Sequence, residues 1–175
     1  MSKADTIHIV LASDDAYVQH LGVLLVSIFE NNREETMLIH LMTDNISDKN
    51  KRLLSQIVDL QYGQRLIFYE MDKTLFKEFP LRTRDHISIA AYYRLMLVEL
   101  LPEEISRILY LDCDMIVTGL LRPLWDVDMN GKAVAAVMDN LFFTPETFSR
   151  LSLPVGDGYF NSGTLLINLD YWRKA

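Results

Sequence analysis

The sequence has a single cysteine, Cys113, which excludes an internal disulfide and a cysteine-rich zinc site. Histidine is also scarce: the four residues His8, His20, His40 and His86 all lie in the first half of the chain. Neither Gly-x-Gly-x-x-Gly nor Gly-x-x-x-x-Gly-Lys-Ser/Thr occurs, so neither a Rossmann dinucleotide site nor a P-loop is supported. Positive charge is in deficit, with 17 Lys+Arg against 24 Asp+Glu, a net charge of −7 and no basic tract. That argues against a nucleic-acid partner, and a phosphate ligand would need locally placed cations. No stretch approaches the ~20 apolar residues of a membrane span, and the opening MSKADTIHIVLASDD has too short an apolar run for a signal peptide. The expected location is cytoplasmic.

What is present is a core. Half of the 175 residues are hydrophobic, enough for a folded globule of one domain over residues 1–175. Thr6 to Ala12 reads as a first strand, and Ser13-Asp14-Asp15 offers caps for a helix with Val18, Leu21, Leu25 and Ile28 on one face. Asn31-Asn32 ends that helix. Met37 to Met42 is a second strand, Ser47 caps a helix through about Leu60, and Arg65 to Tyr69 is a third strand after the break at Gly63. This alternation implies an α/β fold with a mainly parallel central sheet. Asp72 to Ile87 has no clean period. A helix over Ser88–Leu101 precedes Pro102, strand-like runs follow at Ile108–Leu111, Lys132–Met138 and Thr164–Asn168, and Asp170 begins a helical segment.

The stretch ISRILYLDCDMIVT carries the chemistry. Ile108 to Leu111 reads as a buried strand running into Asp112 and Asp114. Strand alternation would place those two side chains on one face and Cys113 on the other. Two adjacent carboxylates repel, and a hard divalent cation carrying phosphate oxygens, Mg²⁺ or Mn²⁺, is a natural counter-charge. The plainer reading makes one Asp a turn cap and the other a solvated group. The turn after the first strand is the second informative place, because doubly wound sheets bind nucleotides at the carboxyl end of strand one. A base there would meet Asp14 and the ring of Tyr17. Taken alone, these two read better as a helix cap and a packing residue.

Together, ASDDAY before a helix, AAYYRL before Leu-Pro, ILYLDCDMIV, AAVMDN and YFNSGTLLINLDYW occur in an order that resembles glycosyltransferase family 8 over Ile7 to Trp172. That family comprises retaining, metal-dependent GT-A enzymes, including bacterial lipopolysaccharide galactosyl- and glucosyltransferases and glycogenin. The resemblance implies a GT-A-type αβα sandwich and transfer of glucose or galactose from a UDP-sugar donor to a glycan or other hydroxyl acceptor, with retention. It implies that Ala12, Asp14, Tyr17 and the Cys113 backbone bind the nucleotide. Arg94 would meet the donor phosphate and sugar, Asp139 and Asn161 the sugar hydroxyls, and Asp112 and Asp114 would hold Mn²⁺ or Mg²⁺. No nucleophile is assignable. Two departures stand out: Ala16 where members often carry Asn, and no counterpart of the family's later Asp-Gln-Asp segment, metal-binding His and Lys. The chain therefore reads as truncated at the C-terminus, the N-terminal part of a longer enzyme, with any peripheral membrane contact left to the missing region. The alternatives are a non-catalytic nucleotide-sugar-binding module, a haloacid-dehalogenase-type phosphotransferase, whose Asp-x-Asp normally follows the first strand, and a glycosidase, whose two carboxylates must flank the scissile bond.

Overall fold

The structure, a computed structural model, describes residues 5–77, 89–139, 149–150, 152 and 159–175. Its centre is a sheet of β1 (Ile7–Ala12), β2 (Met37–Thr43), β3 (Arg65–Glu70), β4 (Arg107–Leu111), β5 (Val134–Met138) and β6 (Phe160–Asn168), in the order β3-β2-β1-β4-β6-β5. β3, β2, β1 and β4 pair in parallel, while β6 runs antiparallel to both β4 and β5. The sheet is thus mainly parallel, with β6 the reversed strand.

Both faces of the sheet are covered, which is why its central strands are apolar at nearly every position. Ile7, Ile9 and Leu11 pack on one face against Leu21, Leu24, Leu25 and Ile28 of α1 (Val18–Asn31). Val10 and Ala12 pack on the other face with Met42, Phe76, Tyr93 and Leu97. The two-residue period of β1 divides its apolar side chains between two cores.

Three local expectations change. The helix after Ser47 begins as α2 (Asp48–Ser55), with the Ser47 hydroxyl accepting from Asn50 N, and widens into a π-turn over Gln56–Gln61. Leu54 and Val58 face the core, whereas Leu53 and Leu60 are exposed. Gly63 ends the segment at φ +65, a backbone conformation that suits glycine. Within the expected helix Ser88–Leu101, Ile89–Met96 is wound as 3₁₀, and only α3 (Leu97–Leu100) is α-helical. Three residues per turn stack Ala90 and Tyr93 on one buried face. Finally, β6 starts at Phe160, four residues before the expected Thr164, and its pairing with β5 shifts between Ala136 and Val137. Ser88 and His86 lie outside the described residues, as does the Asn140 end of AAVMDN.

The segment after Asp114 is irregular, although Met115, Ile116 and Val117 are apolar. The end of α1 holds it in place. Val117 N donates to Ser27 Oγ (2.9 Å), and Asn31 Nδ2 donates to Val117 O (2.9 Å). Buried Asn32 accepts from Leu121 N (2.7 Å) and donates to Gly119 O (3.2 Å) and Ile28 O (2.8 Å). Among the described residues, no helix is long and apolar enough to cross a membrane.

Candidate active site

The strand order places the change of winding direction between β1 and β4: β2 and β3 lie to one side of β1, and β4 to the other. Ligands of open α/β sheets bind outside the carboxyl ends of the strands at that point. A cleft of about 240 Å³ opens there. From β1 and its following turn it is lined by Ala12, Ser13, Asp14 and Tyr17. From the 3₁₀ segment come Ala90, Ala91 and Arg94, and from β4 and its turn Tyr110, Asp112, Cys113 and Asp114. Six of the sequence-derived candidates are joined in this cleft with Arg94; Asp139 and Asn161 are not part of its lining.

Asp14 does cap the 3₁₀ turn Asp15–Tyr17. Its Oδ1 accepts from Ala16 N (3.0 Å) and Tyr17 N (3.1 Å). Among the described residues its other oxygen accepts no hydrogen bond. Asp15 turns away and accepts from Ser47 N and Asn50 Nδ2, each at 2.8 Å, and those bonds hold its carboxyl below the usual range. The loop after β1 is thereby tied to the start of α2. Tyr17 keeps part of its ring open and leans on His20 with ring centroids 5.3 Å apart. Beneath the cleft, Tyr93 is fully buried and its hydroxyl has no hydrogen-bond partner among the described residues. Burial, with Asp14 nearby, pushes that phenol up to about 12.

Asp112 and Asp114 share the cleft, but not by strand alternation. β4 ends at Leu111, and Cys113-Asp114 form a turn. Asp112 N still donates to Gly163 O (2.8 Å), so Asp112 is the last residue registered against β6. Its Oδ1 accepts from Tyr110 Oη (3.1 Å) and Arg94 Nη2 (3.2 Å). Arg94 is itself fixed: Nε donates to Ala91 O (2.8 Å), Nη1 to Ser162 O (2.5 Å), and the guanidinium lies 4.2 Å from the centre of the Tyr110 ring. The counter-charge that a carboxylate pair needs is thus partly supplied by the protein, and among the described residues the other two N–H groups of Arg94's five have no acceptor. Among the described residues, Asp112 Oδ2 and the exposed Asp114 carboxylate receive no hydrogen bond. Cys113 lines the cleft and also packs against the α1-side core. Burial and then Asp114 push its thiol up to about 11, which leaves it protonated and unreactive at neutral pH.

Asn161 belongs to β6. Its Oδ1 accepts from Gly163 N (2.7 Å), and its amide NH₂ has no acceptor among the described residues. Asp139 follows β5, and its backbone N donates to Tyr159 O (2.9 Å). The sequence reading missed Tyr110 and Gly163 as neighbours of Asp112. The clue to Tyr110 was its position two residues before Asp112 on a strand, hence on the same face.

A sequence profile of glycosyl transferase family 8 matches residues 8–175. The chain belongs to glycosyl transferase family 8. One relative of this family 8 chain, General stress protein A of Bacillus subtilis, is 34% identical over 176 residues, covering 99% of this chain and 60% of that protein. The lipopolysaccharide 1,3-galactosyltransferase of Salmonella typhimurium is 26% identical over 174 residues, or 98% of this chain and 51% of that enzyme. Among solved structures, galactosyltransferase LgtC in complex with donor and acceptor sugar analogs matches with a TM-score of 0.89 at 33% identity, over 97% of this chain and 60% of that one. The fold of the family 8 chain is accordingly of the GT-A type. The chain spans about half to three-fifths of the length of these relatives.

Proposed function

We propose that the chain forms the donor-binding part of a hexosyltransferase that moves glucose or galactose from a UDP-sugar to a glycan or other hydroxyl acceptor with retention. The observation that carries this reading is that the base-side pair Asp14/Tyr17 and the carboxylates Asp112/Asp114 line one cleft at the switch point between β1 and β4. In this reading Ala12 and Asp14 meet uracil, Tyr17 stacks on it, and the Cys113 backbone lies by the ribose. Arg94 faces the diphosphate, and Asp139 and Asn161 serve the sugar hydroxyls.

The donor set suits a hard divalent cation. Among the described residues, Asp112 Oδ2 and Asp114 offer carboxylate oxygens without competing hydrogen-bond donors, and Mg²⁺ or Mn²⁺ commonly pairs one or two carboxylates with substrate phosphates and water. No group of three or more His, Cys, Asp or Glu that could hold a metal occurs among the described residues; within this chain Asp112 and Asp114 are the ligands the reading assigns. When bound, the cation would supply charge neutralisation of the leaving diphosphate. The protein's own share is to hold Asp112 through Tyr110 and Arg94, and to aim the free N–H groups of Arg94 at the developing charge.

Calorimetry with UDP-glucose and UDP-galactose, with Mn²⁺ or a chelator, tests this. Binding in the micromolar-to-millimolar range usual for substrates is expected, tighter with Mn²⁺. Asp112→Asn or Asp114→Asn should remove the difference. UDP affinity indifferent to Mn²⁺ in the unsubstituted protein would make the Asp pair a structural feature and overturn the reading.

A further inference from the structure

We propose that Gly163 is a positioning residue for the Asp112 carboxylate: it is glycine because that carboxylate occupies the space where a Cβ would stand. Asp112 and Gly163 are cross-strand neighbours, one step beyond the Leu111–Thr164 pair and joined by Asp112 N to Gly163 O at 2.8 Å. Side chains directly opposite each other share a face of the sheet, with Cβ atoms about 4.5–5.5 Å apart. A Cβ on Gly163 would lie 2.8 Å from Asp112 Oδ2, 3.5 Å from its Cγ and 3.0 Å from Asn161 Oδ1. The first of these distances is one that real Cβ atoms do not tolerate.

The usual reason for a glycine is absent. Gly63 and Gly131 have left-handed backbones, and Gly163 does not. Its requirement is space. The carboxylate can step aside only by loosening the bonds of Oδ1 to Tyr110 and Arg94, and Arg94 is itself anchored to Ala91 O and Ser162 O. Asn161 Oδ1 is held by Gly163 N. Moving the strands apart is resisted by Ile108, Leu109, Leu166 and Ile167, all buried. An added methyl must therefore swing Asp112 Oδ2, the oxygen with no partner among the described residues, out of its present position.

The inference rests on the proposed donor-binding role in one respect, that Oδ2 faces the cation and diphosphate. The test compares the unsubstituted protein, Gly163→Ala, Asp112→Ala and the double variant, by calorimetry with UDP and with Mn²⁺ and by urea unfolding. Outer-shell residues that orient a ligand typically cost 10–100-fold in metal affinity when changed. Gly163→Ala is therefore expected to lower Mn²⁺-dependent UDP binding at least about tenfold, with Mn²⁺-free UDP binding unchanged. It should destabilise the protein when residue 112 is Asp and hardly at all when it is Ala. Retention of Mn²⁺-dependent binding in Gly163→Ala overturns the inference and leaves the proposed function standing. If the unsubstituted protein binds UDP without regard to Mn²⁺, the proposed function fails, and the unfolding cycle alone decides the inference. Equal costs of Gly163→Ala in both backgrounds overturn it. Should Gly163→Ala not fold, recovery of folding in the double variant supports the clash, and failure to recover overturns it.

Discussion

Acidification should destabilise this protein through one buried histidine. His40, on β2, is fully buried between His8 of β1 and Tyr69 of β3. Its Nε2 is 3.0 Å from His8 Nδ1, and its Nδ1 is 2.9 Å from Tyr69 Oη. The chain of hydrogen bonds closes with each imidazole neutral, whichever way the protons run. Burial, then the charges of His8 and Arg65, pull His40 from 6.5 down to about 4. Burial also lowers His8, against the opposing pull of Asp5. Between those two pH values the unfolded chain binds a proton at this position that the folded chain refuses. Stability is therefore full above about pH 6.5 and falls steadily as the pH drops toward 4. The gap corresponds to about 3 kcal/mol, a substantial part of an ordinary domain's 5–15 kcal/mol. Urea unfolding followed by circular dichroism from pH 7.5 to 4.5 measures the slope, and His40→Gln, which can keep hydrogen bonds without charging, should flatten it. The same slope in both proteins would refute the reasoning and assign acid sensitivity to other groups.

Two further outcomes follow from the loop beyond the Asp pair. Asn32→Ala strands the buried Leu121 N–H and releases Gly119 O, so urea unfolding should show a loss of roughly 2–3 kcal/mol. Cys113, with a thiol near 11, is ionised to only about one part in a thousand at pH 8. It should react with a disulfide reagent at least ~100-fold more slowly in the folded protein than in urea, and fast labelling in the folded state would contradict its burial against Ser13 and the core.

The central strands were legible because their composition answers directly to double-sided burial. Ile7–Ala12, Met37–Met42 and Ile108–Leu111 leave no polar face, and Asp14 sits where a cap is needed. The 3₁₀ winding over Ile89–Met96 was not legible, because the spacing of its apolar residues also suits an α-helix; what Arg94 reaches, Asp112 and Ser162, is distant in sequence. The π-turn at Gln56–Gln61 is of the same kind, with Val58 turned inward while Leu60 stays exposed. Within the cleft, Asp112 and Asp114 are legible as an Asp-x-Asp at the end of an apolar run, but what arranges them is not. The grip of Tyr110 and Arg94 and the space at Gly163 depend on which strand lies beside β4, and the strand order 3-2-1-4-6-5 is not written in any local pattern.

The hydrogen bonds from the last turn of α1 to residues 117–121 make that helix a ruler. Its 14 residues span about 21 Å, with the turn bearing Asp14 and Tyr17 at one end and the anchor for the chain beyond Asp114 at the other. A one-residue insertion or deletion would shift the anchor by about 1.5 Å and turn it by ~100°, carrying Ser27, Asn31 and Asn32 away from the backbone they hold. Length variation in descendants of this gene should therefore collect elsewhere, such as the exposed turn at Asn130-Gly131, and spare α1, where even a chemically innocuous extra alanine would move the point at which the chain leaving the Asp pair is fastened.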